Sequence, residues 1–175
     1  MKSDIKISLR EALALHEVSD DVYELIKRDY PNARITMSPK RGDGTLTYAP
    51  TQQSDKAFAK PTGLWYAIGT EWIDWVRSEM PDWEGENAFA LSIDESKILK
   101  LSNLQDLQQF ENLYGDGERF TQIRWDMVAA KYGGIEISPY IYEARMNMMW
   151  YYGWDVASGC LWGDNVVTDI NPIGG

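Results

Sequence analysis

Polar and apolar positions along this chain change period several times, and the changes mark its elements. Ala33 to Met37 alternates as a strand does, which puts Arg34, Thr36 and Ser38 on one face. Gly63 to Ile68 (GLWYAI) and Asn87 to Ile93 (NAFALSI) are predicted as the next strands, with short ones at Ile98 to Leu101 and Ile135 to Ile137. Met149 to Asp155 is predicted as an aromatic strand with Gly153 as its weak point. Helical spacing appears in between. Ser19 caps a helix carrying Val22, Leu25 and Ile26, with Asp20 and Asp21 in its first turn and Pro31-Asn32 at its end. Thr70 opens a helix to about Met80, stopped by Pro81, whose Trp72 and Trp75 read as a core pair.

A capping box at Ser8 to Glu11 starts an earlier helix through about His16. A second box, Ser102 to Gln105, opens a helix bearing Leu104, Leu107, Phe110 and Leu113, closed by Gly115. A further helix is predicted from Thr121 to Lys131, and a single helical turn at Ser138-Pro139. Pro39 to Gly44 reads as a turn, Thr45 to Tyr48 as a short extended piece, and Ala49 to Thr62 as a flexible loop. Asp94 to Ser96 reads as a turn, and Val166 to Gly175 as a loosely held tail. Helices and strands mix without regular alternation, so the predicted class is α+β. Residues 1–32 form a helical prefix and residues 33–175 the main domain, one compact unit overall.

Composition narrows the chemistry. The 44% hydrophobic content supports a real core, and no run of about 18 apolar residues reads as a membrane span. The first residues lack the apolar stretch of a secretory signal. The one cysteine, Cys160, and one histidine, His16, leave no zinc cluster and no internal disulfide. A cytoplasmic chain is expected. The net charge of −10 disfavours direct nucleic-acid binding and anionic membranes. Neither GxGxxG nor a Walker loop is present.

Candidate chemistry gathers in residues 133–162, which hold four of the ten tyrosines, three of the eight tryptophans and the cysteine. Glu136, Glu143, Arg145, Asp155 and Ser158 stand among these rings, the makeup of a small-molecule site or of a ring-rich core. Met146, Met148 and Met149 read as gap-filling core.

The order of motifs adds a resemblance. A strand ending TMSP, then GLWYAI leading into an aromatic helix, then IDESKI, then YGGI, then WYYGWDVASG resembles the ADP-ribosyltransferase family, in its small phage and bacterial branch. The likeness spans Arg34 to Cys160. It implies a split, bent mixed β-sheet core with flanking helices, whose cleft binds NAD. It implies transfer of ADP-ribose to a macromolecular target, a protein first, in the host cytoplasm if the chain is phage-encoded. Such transfer runs through an oxocarbenium-like centre, which needs a carboxylate beside it. By the likeness Asp155 is the first candidate for that carboxylate and Glu136 the second. Arg34, Thr36 and Ser38 on the first strand, with Trp65 and Tyr66, would hold NAD. Thr36 stands where the family often has His, and Asp155 where a Glu is usual. These departures keep open an acidic, non-catalytic binding protein that inhibits a host enzyme or defence. A glycoside hydrolase is a third reading, without a carboxylate pair that the spacing singles out.

Overall fold

The computed structural model describes residues 18–38, 45–56, 59–80, 85 and 87–174. The predicted Ser8–His16 helix, the Pro39–Gly44 turn and Pro81 lie outside the described residues, as does the side chain of Ser38. Twelve elements order the described chain: α1 (Asp20–Asp29), β1 (Arg34–Ser38), β2 (Leu64–Ile68), α2 (Glu71–Glu79), β3 (Asn87–Ile93), β4 (Ile98–Leu101), α3 (Leu104–Tyr114), α4 (Trp125–Ala129), β5 (Gly134–Ile137), α5 (Tyr142–Arg145), β6 (Ser158–Leu161) and β7 (Val167–Ile173). Two short 3₁₀ turns, Glu95–Lys97 and Met149–Tyr151, join them. The protein is α+β, as its pattern indicated. No helix among the described residues is long and apolar enough to cross a membrane.

The seven described strands form one mixed sheet in the order β4-β5-β6-β2-β1-β3-β7. Only β4 and β5 run parallel; the other pairs are antiparallel. This order dictates the sheet's shape. Neighbouring strands lie about 4.8 Å apart, so β3 and β4, five places apart, would sit roughly 24 Å from each other in a flat sheet. Yet only Asp94 to Lys97 join them, and the five Cα steps from Ile93 to Ile98 reach at most about 18 Å fully extended. Three of those joining residues are wound into a 3₁₀ turn, which shortens the reach further. The sheet must therefore curl until its two wings approach. Tyr66, Leu91, Ile98, Leu161 and Val166 pack inside the curl.

The outer face is covered by helices. On the wing of β4, β5 and β6, Ile135, Ile137, Cys160 and Leu101 pack with Leu107, Phe110, Trp125 and Trp150. On the wing of β1, β3 and β7, Ile35, Ala88 and Ile173 pack with Ile26 of α1 and Ile73 of α2. Ser19 caps α1, its Oγ accepting from the Val22 N–H at 3.2 Å.

Several elements depart from the sequence pattern, each for a local reason. Met149 to Asp155 is not a strand. Trp150, Tyr151 and Trp154 are all buried at near-helical spacing, so a tight turn serves them better than alternation does. The Val166–Gly175 tail is the seven-residue edge strand β7, paired along β3. Pro172 fits there because an edge strand has a free side. The helix predicted over Thr121–Lys131 shortens to α4, because its first residues bond back to the end of α3: Arg124 N–H donates to the Tyr114 carbonyl at 2.8 Å. The cap of α3 is Asn103, one place beyond the predicted Ser102, and accepts from Asp106 N–H. Thr70 stands at the start of α2, but its hydroxyl donates to Asp74 and caps nothing. The helical turn expected at Ser138-Pro139 begins instead at Tyr142.

Thr45–Tyr48 forms no strand; the Tyr48 hydroxyl ties it to the Gly163 carbonyl. The described residues of the Ala49–Thr62 loop form no strand or helix, and Gln53 pins them, its amide bonding both the N–H and the carbonyl of Thr62. Trp72 and Trp75 stack on each other with centroids 5.2 Å apart and stay half-buried. Met148 is buried, whereas Met146 and Met149 are exposed.

Candidate functional site

Strand register lines up one row of side chains inside the curl. Tyr66 faces Gly159, Gly159 faces Glu136, and Glu136 lies beside Lys100. Directly paired residues share a face. Arg34, two places from Thr36 on β1, leans into this row. Its Nε donates to Glu136 Oε1 at 2.7 Å, although 102 residues separate the two. Tyr66 donates its hydroxyl to the same oxygen at 2.9 Å. Glu136 Oε2 accepts no hydrogen bond among the described residues. Glu136 is buried and Arg34 mostly so, which makes this ion pair more than a surface contact.

Glycine at 159 makes the row possible. A Cβ there would lie 2.4 Å from both Cζ and Oη of Tyr66 and 2.7 Å from the Ile135 carbonyl. Without a side chain at that place, the Tyr66 ring crosses β6 and delivers its hydroxyl to β5.

At the mouth of the curl, Glu95 joins the two wings. Its Oε1 accepts from Arg34 Nη2 at 2.6 Å and from Lys100 Nζ at 2.5 Å. The charges settle accordingly. The bonds from Lys100 and then Arg34 hold the Glu95 carboxyl down at about 2. Burial works against the charge on Arg34, but its bonds to Glu136 and Glu95 outweigh that and raise its pKa above the usual arginine value. Burial, then the nearby Glu136 charge, pushes the Tyr66 phenol up, so it stays a donor. The arrangement offers a fixed guanidinium, a buried carboxylate with one open oxygen, and a neutral phenol between them.

The residues singled out in the sequence fall into two groups. Arg34, Tyr66 and Glu136 meet in this row. Trp65, one place from Tyr66, points to the other face and meets Trp154 edge-on at 4.9 Å, with Lys60 Nζ 5.4 Å from its ring centre. Asp155 belongs with that group: Arg145 lies 3.5 Å from it. Burial raises the Asp155 pKa, and the Lys60 and Arg145 charges only partly offset this. Thr36 is buried, its hydroxyl committed to the Trp65 carbonyl at 2.7 Å. Ser38 ends β1 opposite Asn87. Cys160 is fully buried, and burial pushes its thiol well up, which makes it a poor nucleophile.

Glu95, Lys100 and Gly159 had not been singled out. Glu95 stands in IDESKI, Lys100 in the predicted strand Ile98 to Leu101 and Gly159 in WYYGWDVASG, but their meeting depends on a strand order that no local pattern reveals. A shallow cavity of about 450 Å³ lined by Tyr48, Pro50, Asp164, Asn165 and Val167 to Ile170 shares no lining residue with the row. It carries Asp164 and Asp169 and no cation, so it is ill suited to an anionic ligand. No family model, curated protein or solved structure matches this chain.

Proposed function

We propose that the chain is an ADP-ribosyltransferase-like protein that binds NAD in the curl and transfers ADP-ribose to a macromolecular target, with Glu136 in the role first given to Asp155. The observation that supports this is the convergence of Arg34, Tyr66 and Glu136 on one inner face. They are the first-strand cation, the ring of the GLWYA strand and a late carboxylate, the three kinds of group that the resemblance requires. The residues fit NAD chemically: a guanidinium for a diphosphate, and an unshared carboxylate oxygen for hydroxyls or positive charge. Bound NAD would supply the labile bond between ribose and nicotinamide. Arg34 would anchor the anionic end. Glu136 would present Oε2 where positive charge develops, in a place already desolvated. Tyr66 would hold the other oxygen and fix the carboxylate's orientation.

Calorimetry with NAD and an assay of nicotinamide release test the reading together. The wild type should bind NAD and release nicotinamide. Glu136→Gln should keep binding and lose roughly 10²- to 10³-fold in rate, the scale for removing one placed electrostatic group. Asp155→Asn should stay near wild type. A wild type that neither binds NAD nor releases nicotinamide ends this reading.

One observation favours a second reading, an acidic binding protein without catalysis. Tyr142, Met146, Met149 and Tyr152 are all exposed within one short stretch, and such residues are common at adaptable contacts. That reading predicts a stable partner complex that forms without NAD and is lost in a Tyr142→Ser, Met146→Ser double variant.

A further inference from the structure

We propose that Arg34 and Lys100 form a subsite for a diphosphate-bearing small molecule, and that Glu95 fills it as a displaceable internal anion. This deepens the NAD reading and rests on it for the ligand's identity, though not for its anionic chemistry.

The geometry carries it. Arg34 stands on β1 and Lys100 on β4, four places apart in the sheet, yet both donate to one oxygen of one side chain. Two cations from opposite wings are thus aimed at a single anionic oxygen at the mouth of the curl. That oxygen stands in for one belonging to a phosphate. The other oxygen, Glu95 Oε2, accepts no hydrogen bond among the described residues.

Glu95 is suited to leave. Its side chain is 54% exposed, against 19% for Arg34. Its backbone is held without it: Asp94 Oδ1 accepts from both the N–H and the hydroxyl of Ser96, fixing the turn. Exposed ion pairs add little to a fold, so swinging Glu95 into water costs the protein little. The charges then ask for a replacement. With Glu95 in place, Arg34 and Lys100 are balanced by Glu95 and Glu136; with it out, one positive charge is left over beside the buried Glu136. A phosphate group restores the balance, and a diphosphate oxygen can bridge both cations as Glu95 does. The chain's net charge of −10 argues against a nucleic-acid backbone as the occupant.

The test is calorimetric titration of the full chain with inorganic pyrophosphate at low salt. Glu95→Gln should bind about tenfold more tightly than wild type, since it removes one charged competitor. Lys100→Gln should bind several-fold more weakly than wild type. Equal or weaker binding by Glu95→Gln, in a protein whose circular dichroism matches wild type, overturns the proposal. So does a duplex oligonucleotide that binds more tightly than pyrophosphate. The NAD reading fails separately. If pyrophosphate follows the expected order while NAD is neither bound nor cleaved, the subsite stands and the transferase falls. If NAD is cleaved and Glu95→Gln gains nothing for pyrophosphate, the reverse holds.

Discussion

Tyr66 and Trp65 are neighbours on one strand, and the groups they join differ in kind. Tyr66 belongs to a row of directional contacts that joins four strands and the Glu95 turn, each bond between 2.5 and 2.9 Å. Trp65 belongs to a pile of rings with Trp154, Tyr151 and Trp150, closed by one loose ion pair at 3.5 Å. The ring pile leaves the buried indole N–H groups of Trp150 and Trp154 without acceptors among the described residues. Inside the curl, each described side chain of the row is held by at least one directed bond, and the atoms left open are carboxylate oxygens at Glu136 and Glu95. The outer group therefore looks like packing with polar remnants, and the inner one like placed chemistry. The rings thus gather on one face of β2 and the directed polar contacts on the other.

The largest effect should come from the outer group. Trp150 is fully buried against Phe110, Trp125, Tyr151 and Trp154. Trp150→Ala should cost about 3–5 kcal/mol by urea denaturation, the range for deleting a large core ring. A loss under about 1 kcal/mol would mean that these rings do not carry the fold, and the contrast would collapse. Next comes Gly159→Ala, expected to cost about 1–3 kcal/mol because the added Cβ drives into Tyr66 and the Ile135 carbonyl. The matched control is Gly153→Ala on the outer side, where a Cβ would meet only the mobile end of Lys60, nearest at 3.1 Å. That change should stay within about 0.5 kcal/mol of wild type. Equal losses at the two glycines would show that the row is no tighter than the ring group.

Local pattern revealed the elements better than their meeting. The span of β3 was readable from NAFALSI and that of β4 from ILKL, because alternation and turn residues are local properties. The α+β class followed from the mixture. The strand order did not, and with it went the site. Arg34 and Glu136 are brought together by a curl that follows from β3 and β4 being close in sequence and far apart in the sheet. Nothing in ARITM or GIEI points to the other. Motif order puts Asp155 first and Glu136 second, and it carries no information about faces: Asp155 lies with the outer group and Glu136 in the inner row. Even the face was within reach for part of the row: β2 alternation separates Tyr66 from Trp65, but which side of the sheet curls inward is a tertiary fact. Pro172 and Asn171 made β7 read as a tail, since turn-forming residues look alike in a tail and in an edge strand.

The smallest expected effect contrasts the two groups most sharply, through their acids. Glu95 has its pKa held down at about 2 from an ordinary 4.5, whereas Asp155 has its pKa raised above 3.8 by burial. The two shifts act on stability with opposite sign. A depressed carboxyl adds stability that is present above its unfolded value and is lost as pH falls from about 4.5 towards 2. A raised one adds stability that is full below 3.8 and is lost as pH rises through its folded value. Relative to wild type, Glu95→Gln should therefore be weaker at neutral pH, with the gap closing on acidification. Asp155→Asn should be level with wild type in acid and slightly ahead of it at neutral pH. Urea midpoints for both variants and wild type, taken from pH 3 to 7, read the two trends directly. If both variants drift the same way with pH, the inner and outer acids sit in like surroundings, and the division of the sheet into a chemical face and a packing face is wrong.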